Sequence, residues 1–476
     1  MLILRLIKSS SVLSLSRPFH SDLLLSHLSG TTQETLRHHN QVHGTFRTVF
    51  TPQTSIDTAT PYHLYEPIEA VESSERYSAG GYHPVAIGDR FQDRYRVVHK
   101  LGHGGYSTIW LTKDEQSDRY VAVKVCTADS NSPEFEIISK LSSSQRSLST
   151  NLGRSMITSA SDRFNIKGPN GKHSCHVMNP ARTSLSEAKE GSYNRRFQLE
   201  TARALAAQLV IAVDYVHSQG IIHGDIHYGN VLLQLPFDLN SISEEQLYKE
   251  YGEPELEAIR RFDEKPLPIG IPTHAVVPIW LGKASDDLTP SEAKILLSDF
   301  GEAFSPTQRN KYESHTPLAN RPPEFRFEPH MPLSFSSDIW SLGCCTWNII
   351  AQRPLFENFL ATEDDIICEQ VDALGILPPD WWDRWEERDN RFTEDGKPIN
   401  RNPFRSWEDR FEDSVQKPRQ AAGMSPIDQA ERDAFFSMLR SMLSFRPESR
   451  PTAKQLLSFE WMAKWALPEY HKIRNT

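Results

Sequence analysis

At 476 residues, with 38% hydrophobic and 24% charged content, the chain has enough apolar sequence for a sizeable core, which excludes disorder throughout. A formal net charge of -10 excludes a surface that attracts nucleic acid or anionic membranes, unless a local patch reverses the sign, and favours a basic partner. The five cysteines (Cys126, Cys175, Cys344, Cys345, Cys368) form no CxxC pair and no Cys/His cluster at metal-ligand spacing, so neither a disulfide framework nor a zinc site is indicated and a reducing compartment is expected.

No apolar run approaches the roughly 20 residues that cross a bilayer, so no membrane association is expected. Residues 1–21 carry Arg5, Lys8 and Arg17, several serines and no acid, the composition of a mitochondrial transit peptide. The plainer reading is a tail whose leucines cluster by chance. From Gly30 to Ser78 no period of 2 or 3.6 is sustained, so residues 1–79 read as a poorly ordered leader, with order expected to begin near Gly80.

Residues Tyr95–Val125 alternate around a glycine cluster and predict a small antiparallel meander. The segment after Ser130 predicts a short helix, with Pro133 in its first turn and Glu134, Ile138 and Leu141 on one face. Residues 197–217 are apolar around most of the circumference and predict a buried helix. A polar, proline-rich insertion spans 235–294, with a capping box at Ser243–Gln246 opening a helix toward Arg261. From Ser336 onward helical runs alternate with polar loops, which predicts a helical subdomain.

Four motifs carry chemistry. Leu101, Gly102, His103, Gly104, Gly105, Tyr106, Ser107, Thr108 and Ile109 lie between two predicted strands, where glycines let backbone N–H groups approach phosphates. A plain glycine hairpin has the same look. Val121–Lys124 then ends a strand in a lysine able to pair with α- and β-phosphates, or else an ordinary edge-strand lysine. Such a lysine needs a carboxylate to hold it; Glu134 is the first candidate and Glu136 the second.

His223-Gly224-Asp225-Ile226-His227-Tyr228-Gly229-Asn230 follows the buried helix. An Asp there can accept a hydroxyl proton, and an Asn five residues on can reach a phosphate-bound metal, although both could simply satisfy a turn. Ser298-Asp299-Phe300-Gly301 ends an apolar run and places a carboxylate where Mg²⁺ can bind. The fourth group is Glu324 in Pro322-Pro323-Glu324, the run Asp338–Gly343, and Arg450, with Glu324 and Arg450 expected to form a buried ion pair.

In this order, over roughly Tyr95–Trp465, the motifs resemble the protein-kinase superfamily. Gly80–Leu111 is similar to the opening of the SR-protein kinases, and Asp162–Val177 is similar to the strand pair before their hinge. That family phosphorylates serines in Arg/Ser-rich segments of splicing factors. The resemblance implies an α+β, two-lobed protein-kinase fold, with N-lobe and hinge at 80–182, C-lobe at 183–468 and a tail at 469–476. It implies an ATP pocket formed by the glycine-rich residues with Ala122, Lys124 and Glu134, Met178 as gatekeeper, and the backbone of Asn179 and Ala181 on adenine. It also implies Mg²⁺ on Asn230 and Asp299, with Asp225 as catalytic base.

The chain departs from the general kinase pattern at several points. Ser107 stands for the third glycine, as in the SR branch. Gly224 replaces the arginine of H-R-D, so activity without activation-loop phosphorylation is expected. His227 stands where protein kinases usually have lysine, and an imidazole supplies less fixed positive charge to the transferring phosphate. The pattern HGDxHxxN itself resembles aminoglycoside and choline kinases. The Lys124 to Glu134 separation and the 299–324 segment are both short.

The expected function is a Ser/Thr protein kinase acting, as a monomer, on serine in Arg/Ser-rich protein substrates. The alternatives are a nucleotide-binding pseudokinase scaffold and a small-molecule phosphotransferase. Between Glu357 and Asp413, 17 acids face seven Lys/Arg, a balance of -10 that either attracts a basic substrate or forms a solvated face. The branch implies cytoplasm and nucleus, whereas the first 21 residues suggest mitochondria.

Overall fold

The computed structural model describes residues 63–143, 152–357, 359–401 and 405–474. The transit-like segment 1–21, with the rest of residues 1–62, lies outside them. An antiparallel-sheet N-terminal region leads into a mainly helical C-terminal region, the α+β arrangement expected.

The sheet contains β1 (Arg90–Phe91), β2 (Tyr95–Gly104), β3 (Ser107–Asp114), β4 (Arg119–Cys126), β5 (Ala160–Gly168) and β6 (Gly171–Met178), in spatial order β1-β2-β3-β4-β6-β5. Alternation along β4 divides its two faces. Val121, Val123 and Val125 pack with Trp110, Cys175 and Val177 on one side. Ala122 and Lys124 point to the other, where Ile109 lies opposite Lys124 and Met178 opposite Ala122. Between β4 and β5, helix α1 (Glu134–Ser143) buries Ile138 and Leu141 in the main core.

Helix α2 (Leu185–Glu190) starts at a Ser184 capping box. Helix α3 (Leu199–Ser218) buries 15 of its 20 residues, as its nearly continuous apolar surface requires. Two short pairs flank the cleft, β7 (Val231–Leu233) with β10 (Ile295–Leu297), and β8 (Leu256–Ala258) with β9 (His274–Val276). Helices α5 (Phe335–Ile350), α6 (Glu363–Leu374), α7 (Gln429–Met442) and α8 (Leu467–Arg474) complete the C-terminal region, while α4 (Glu244–Tyr251) lies in the insertion. All five cysteines are buried free thiols, and no helix among the described residues is long and apolar enough to cross a membrane.

Three expectations need correction. Packing begins well before Gly80: Tyr65 bridges to Arg261, and Tyr65, Tyr77 and Tyr82 form a cluster with Ile259, Ile271 and Ala275. The insertion, in sequence part of the C-lobe, docks on the sheet. Its α4 places Leu247 against Val98, Leu111 and Tyr120, Glu244 binds Arg96, and Ile279 N–H donates to Lys100 O at 2.8 Å. Helix α4 stops at Gly252, whose φ of +97° ends it nine residues before Arg261. The supposed tail from residue 469 belongs to α8, with Tyr470 and Ile473 buried.

Glu324 and Arg450 do form the buried pair, bidentate at 2.7 and 2.6 Å. The guanidinium also donates to three carbonyls and lies 4.9 Å from the Trp340 ring centroid. Removing it leaves the buried carboxylate with only the Ser337 hydroxyl, at 3.4 Å, and takes a donor from three carbonyls. Arg450→Ala should therefore cost about 3–5 kcal/mol, read as a lower urea midpoint with unchanged m-value.

Candidate active site

The site is built around a buried amine. Lys124 Nζ lies 2.9 and 2.7 Å from the Glu134 oxygens and 2.9 Å from Asp299 Oδ1. Burial alone would pull the lysine below its usual range, but Asp299 and Glu134 outweigh it and hold Lys124 well above. Burial likewise works to raise both carboxyls, and Lys124 brings each below the ordinary carboxylate range. His176 Nδ1 sits 3.5 Å from Glu134 on its far side. The ten-residue separation therefore suffices for the pair. Glu136 points elsewhere, to Arg163.

Asp299 reaches Lys124 from a left-handed backbone conformation, φ +58°, which Asp tolerates better than most residues. Phe300 behind it is fully buried, its ring centroid 4.7 Å from that of His223. His223 Nδ1 accepts from Asp225 N–H, so its hydrogen is on Nε2, which donates to Ser298 O at 3.1 Å.

The catalytic loop is held from below by Asp338 on α5. Its carboxylate accepts from His223 N–H at 2.8 Å, Gly224 N–H at 2.9 Å and His217 Nε2 at 2.9 Å. Three donors satisfy a carboxylate that is 2% exposed. Gly224 adopts φ +77°, and a Cβ there would meet Glu302 O at 3.1 Å, so a side chain at this position is strained.

Asn230 Nδ2 donates to Asp225 O at 3.0 Å and Asp225 Oδ2 at 3.2 Å, leaving Asn230 Oδ1 for a cation. Asp225 Oδ1 is buried without a partner, a costly state for an acceptor and the one a hydroxyl donor would relieve. His227 Nδ1 accepts from Gly229 N–H at 3.2 Å, which assigns its hydrogen to Nε2, 3.6 Å from Asp225 Oδ2. The ring lies so close to Gly229 that a Cβ there would meet it at 2.9 Å.

The glycine-rich turn joins β2 to β3, with Gly104 opposite Ser107. A Cβ at Gly102 or Gly104 would enter open space, the room phosphates need. Leu101 and Ile109 are half-buried at the root of the turn, Ser107 is buried, and His103, Gly105 and Tyr106 form the exposed tip. Met178 ends β6 opposite Ala122, and Asn179 and Ala181 follow in the link to α2.

Several residues of the site carry no sequence signature. Glu302 pairs with Lys311 and, at 3.0 Å, with His315 Nδ1. Thr316 Oγ1 donates to Gly224 O at 3.1 Å. Glu302 thus cross-links the activation segment internally, and the Thr316 hydroxyl ties that segment to the catalytic loop. Within the acidic run Asp365 pairs with Arg391, Asp372 with Arg401 and Glu369 with Arg410, arginines already counted in its balance of -10, while Arg326 and Arg446 come from outside to Glu363 and Asp380.

A buried lysine shared by a helix glutamate and a strand-end aspartate, facing an Asp/Asn pair on a loop, defines a phosphotransferase cleft. The protein kinase domain model matches residues 95–239 and 284–462, the gap falling in the insertion, and the chain belongs to the protein kinase family. It is 26% identical over 402 residues to a serine/threonine protein kinase of Aspergillus fumigatus, covering 82% of this chain and 90% of that protein. Serine/threonine-protein kinase SRPK of Physarum polycephalum is 25% identical over 412 residues, 82% of this chain and 91% of that protein. SRSF protein kinase 3 of Homo sapiens is 36% identical over 168 residues, 35% of this chain and 30% of that protein. The resemblance to SR-protein kinases accords with relatives named SRPK and SRSF protein kinase. Protein kinase domains use ATP, usually with Mg²⁺.

Glu134→Gln removes one charge from Lys124 and should weaken nucleotide affinity about tenfold or more, whereas Glu136→Gln should leave it unchanged in a titration. Gly224→Ala forces φ above zero onto a residue with a Cβ, at about 1–2 kcal/mol, and presses on Glu302. Steady-state kinetics should show lower kcat with unaltered KM for ATP.

Proposed function

We propose that the chain transfers the γ-phosphate of ATP to serine hydroxyls, with Arg/Ser-rich segments as preferred substrates. The observation that carries this reading is Lys124 held by Glu134 and Asp299 at once, because such a lysine is positioned for α- and β-phosphates. The serine and Arg/Ser preference draws on the Gly80–Leu111 resemblance and on relatives named as SR-type kinases.

Asn230 Oδ1 and the Asp299 carboxylate are hard oxygen donors that fit Mg²⁺, with phosphates and water completing its shell. When bound, the ion would neutralise charge on the phosphates. Asp225 Oδ1 would accept the serine proton as the serine oxygen bonds phosphorus and the bond to ADP oxygen breaks. His227 Nε2–H would donate toward the transferring group in place of the usual ammonium. A protein substrate rather than a small one is favoured by the C-terminal helical region fixed through Glu324 and Arg450. A scaffold would have no use for an unsatisfied Asp225 Oδ1.

The test is radiolabelled transfer from ATP·Mg²⁺ to an Arg/Ser-repeat peptide and to a neutral serine peptide. Transfer should favour the Arg/Ser peptide, and Asp225→Ala should reduce it by about 10²–10⁴-fold while ATP binding persists. Equal transfer to both peptides would reject the preference; ATP binding without transfer to either would point to a scaffold. His227→Ala should lower kcat by about 10²-fold, with KM for ATP little changed.

A further inference from the structure

Residues 72–82 precede the matched kinase domain, yet they reach the tip of the glycine-rich turn. Tyr82 Oη donates to Gly104 O at 2.7 Å, and the Arg76 guanidinium donates to Gly105 O. The same guanidinium lies 4.9 Å from the Tyr82 ring centroid and 5.8 Å from that of Tyr106. The next carbonyl, Tyr106 O, accepts from Thr127 N–H at 2.9 Å. Three successive carbonyls of an exposed glycine hairpin are therefore captured, two of them by side chains of one upstream segment.

Capture of those oxygens has a geometric consequence. In a planar trans peptide the C=O and N–H point in opposite directions. Fixing Gly104 O and Gly105 O toward Arg76 and Tyr82 directs the N–H groups of Gly105 and Tyr106 the other way. These N–H groups are what a glycine-rich turn offers to phosphates. Without the two side chains, glycine backbone would sample many orientations, and nucleotide binding would bear the entropy of ordering it.

The segment is itself firmly anchored. Glu72 forms a buried ion pair with Lys100 on β2 and accepts from Tyr77 Oη. Asn170 Nδ2 donates to Tyr82 O and to Gly270 O, both at 2.7 Å, which ties the segment to the insertion. Tyr77 and Tyr82 pack with Ile259, Ile271 and Ala275 of that insertion.

We propose that residues 72–82 form a strap, backed by the insertion, in which Arg76 and Tyr82 are positioning residues that pre-orient the glycine-rich turn for nucleotide phosphates. The proposal rests on the reading of the cleft as an ATP site. It assigns the insertion a part in nucleotide affinity, exerted through the strap.

The experiment compares wild type, Tyr82→Phe, Arg76→Ala and Arg76→Lys in the full chain. Calorimetry gives the Kd of a non-hydrolysable ATP analogue with Mg²⁺ and, separately, of adenosine. Thermal unfolding checks integrity. Tyr82→Phe removes only a hydroxyl and keeps the ring packing. Loss of one hydrogen bond should weaken the analogue roughly fivefold in Tyr82→Phe and in Arg76→Ala, leave adenosine unchanged, and be partly rescued in Arg76→Lys. Amide exchange at residues 104–107 should quicken in step. Analogue and adenosine affinities that stay unchanged, or that fall by the same factor, would overturn the strap as a phosphate-positioning device. A wild type that binds neither ligand would overturn the nucleotide reading, and the strap with it.

Discussion

The rest of the site depends on how one amine, Lys124, is kept charged in a place that water barely reaches. A buried ammonium is costly unless carboxylates face it, and here two do, from parts of the chain far apart in sequence. Glu134 can reach it only if α1 lies against the sheet, and Asp299 only if the segment after β10 turns inward through its left-handed residue. The amine therefore fixes the helix, the sheet and the Asp299 carboxylate in one arrangement, with Phe300 packed behind them.

A second constraint acts from the helical region. Asp338 shapes the catalytic loop through two backbone N–H groups, and the positive φ at Gly224 would strain the arginine that a phosphorylated activation loop would engage. In its place Glu302 gathers Lys311 and His315, and Thr316 binds the loop directly.

Much of the site was legible in the sequence because it is local: Asp225 with Asn230, the Asp299 tripeptide and the lysine of β4 each occupy a few consecutive residues whose chemistry needs that spacing. Glu134 was preferred over Glu136 from the face shared with Ile138 and Leu141, and the structure pairs Glu134 with Lys124. What stayed hidden depends on contacts between distant segments. Residues 63–79 have no periodicity because their order comes from Tyr65 and Tyr77 packing on the insertion and from Glu72 meeting Lys100. The insertion reads as polar because only one side of α4 is buried, through Leu247. The acidic run reads as an unbroken field of charge because its pairings, Glu369 with Arg410 inside the run and Glu363 with Arg326 outside it, are made by helix packing.

The central claim is that the cleft is assembled in the unmodified chain, by Lys124 with its two carboxylates and by Glu302 with Lys311. The most direct measurement is the rate of phosphate transfer by protein treated with phosphatase and confirmed by mass to carry no phosphate on residues 299–324. The account predicts the same initial rate before and after treatment, with no lag. A rate that falls on treatment and recovers only when the activation segment is phosphorylated again would contradict it.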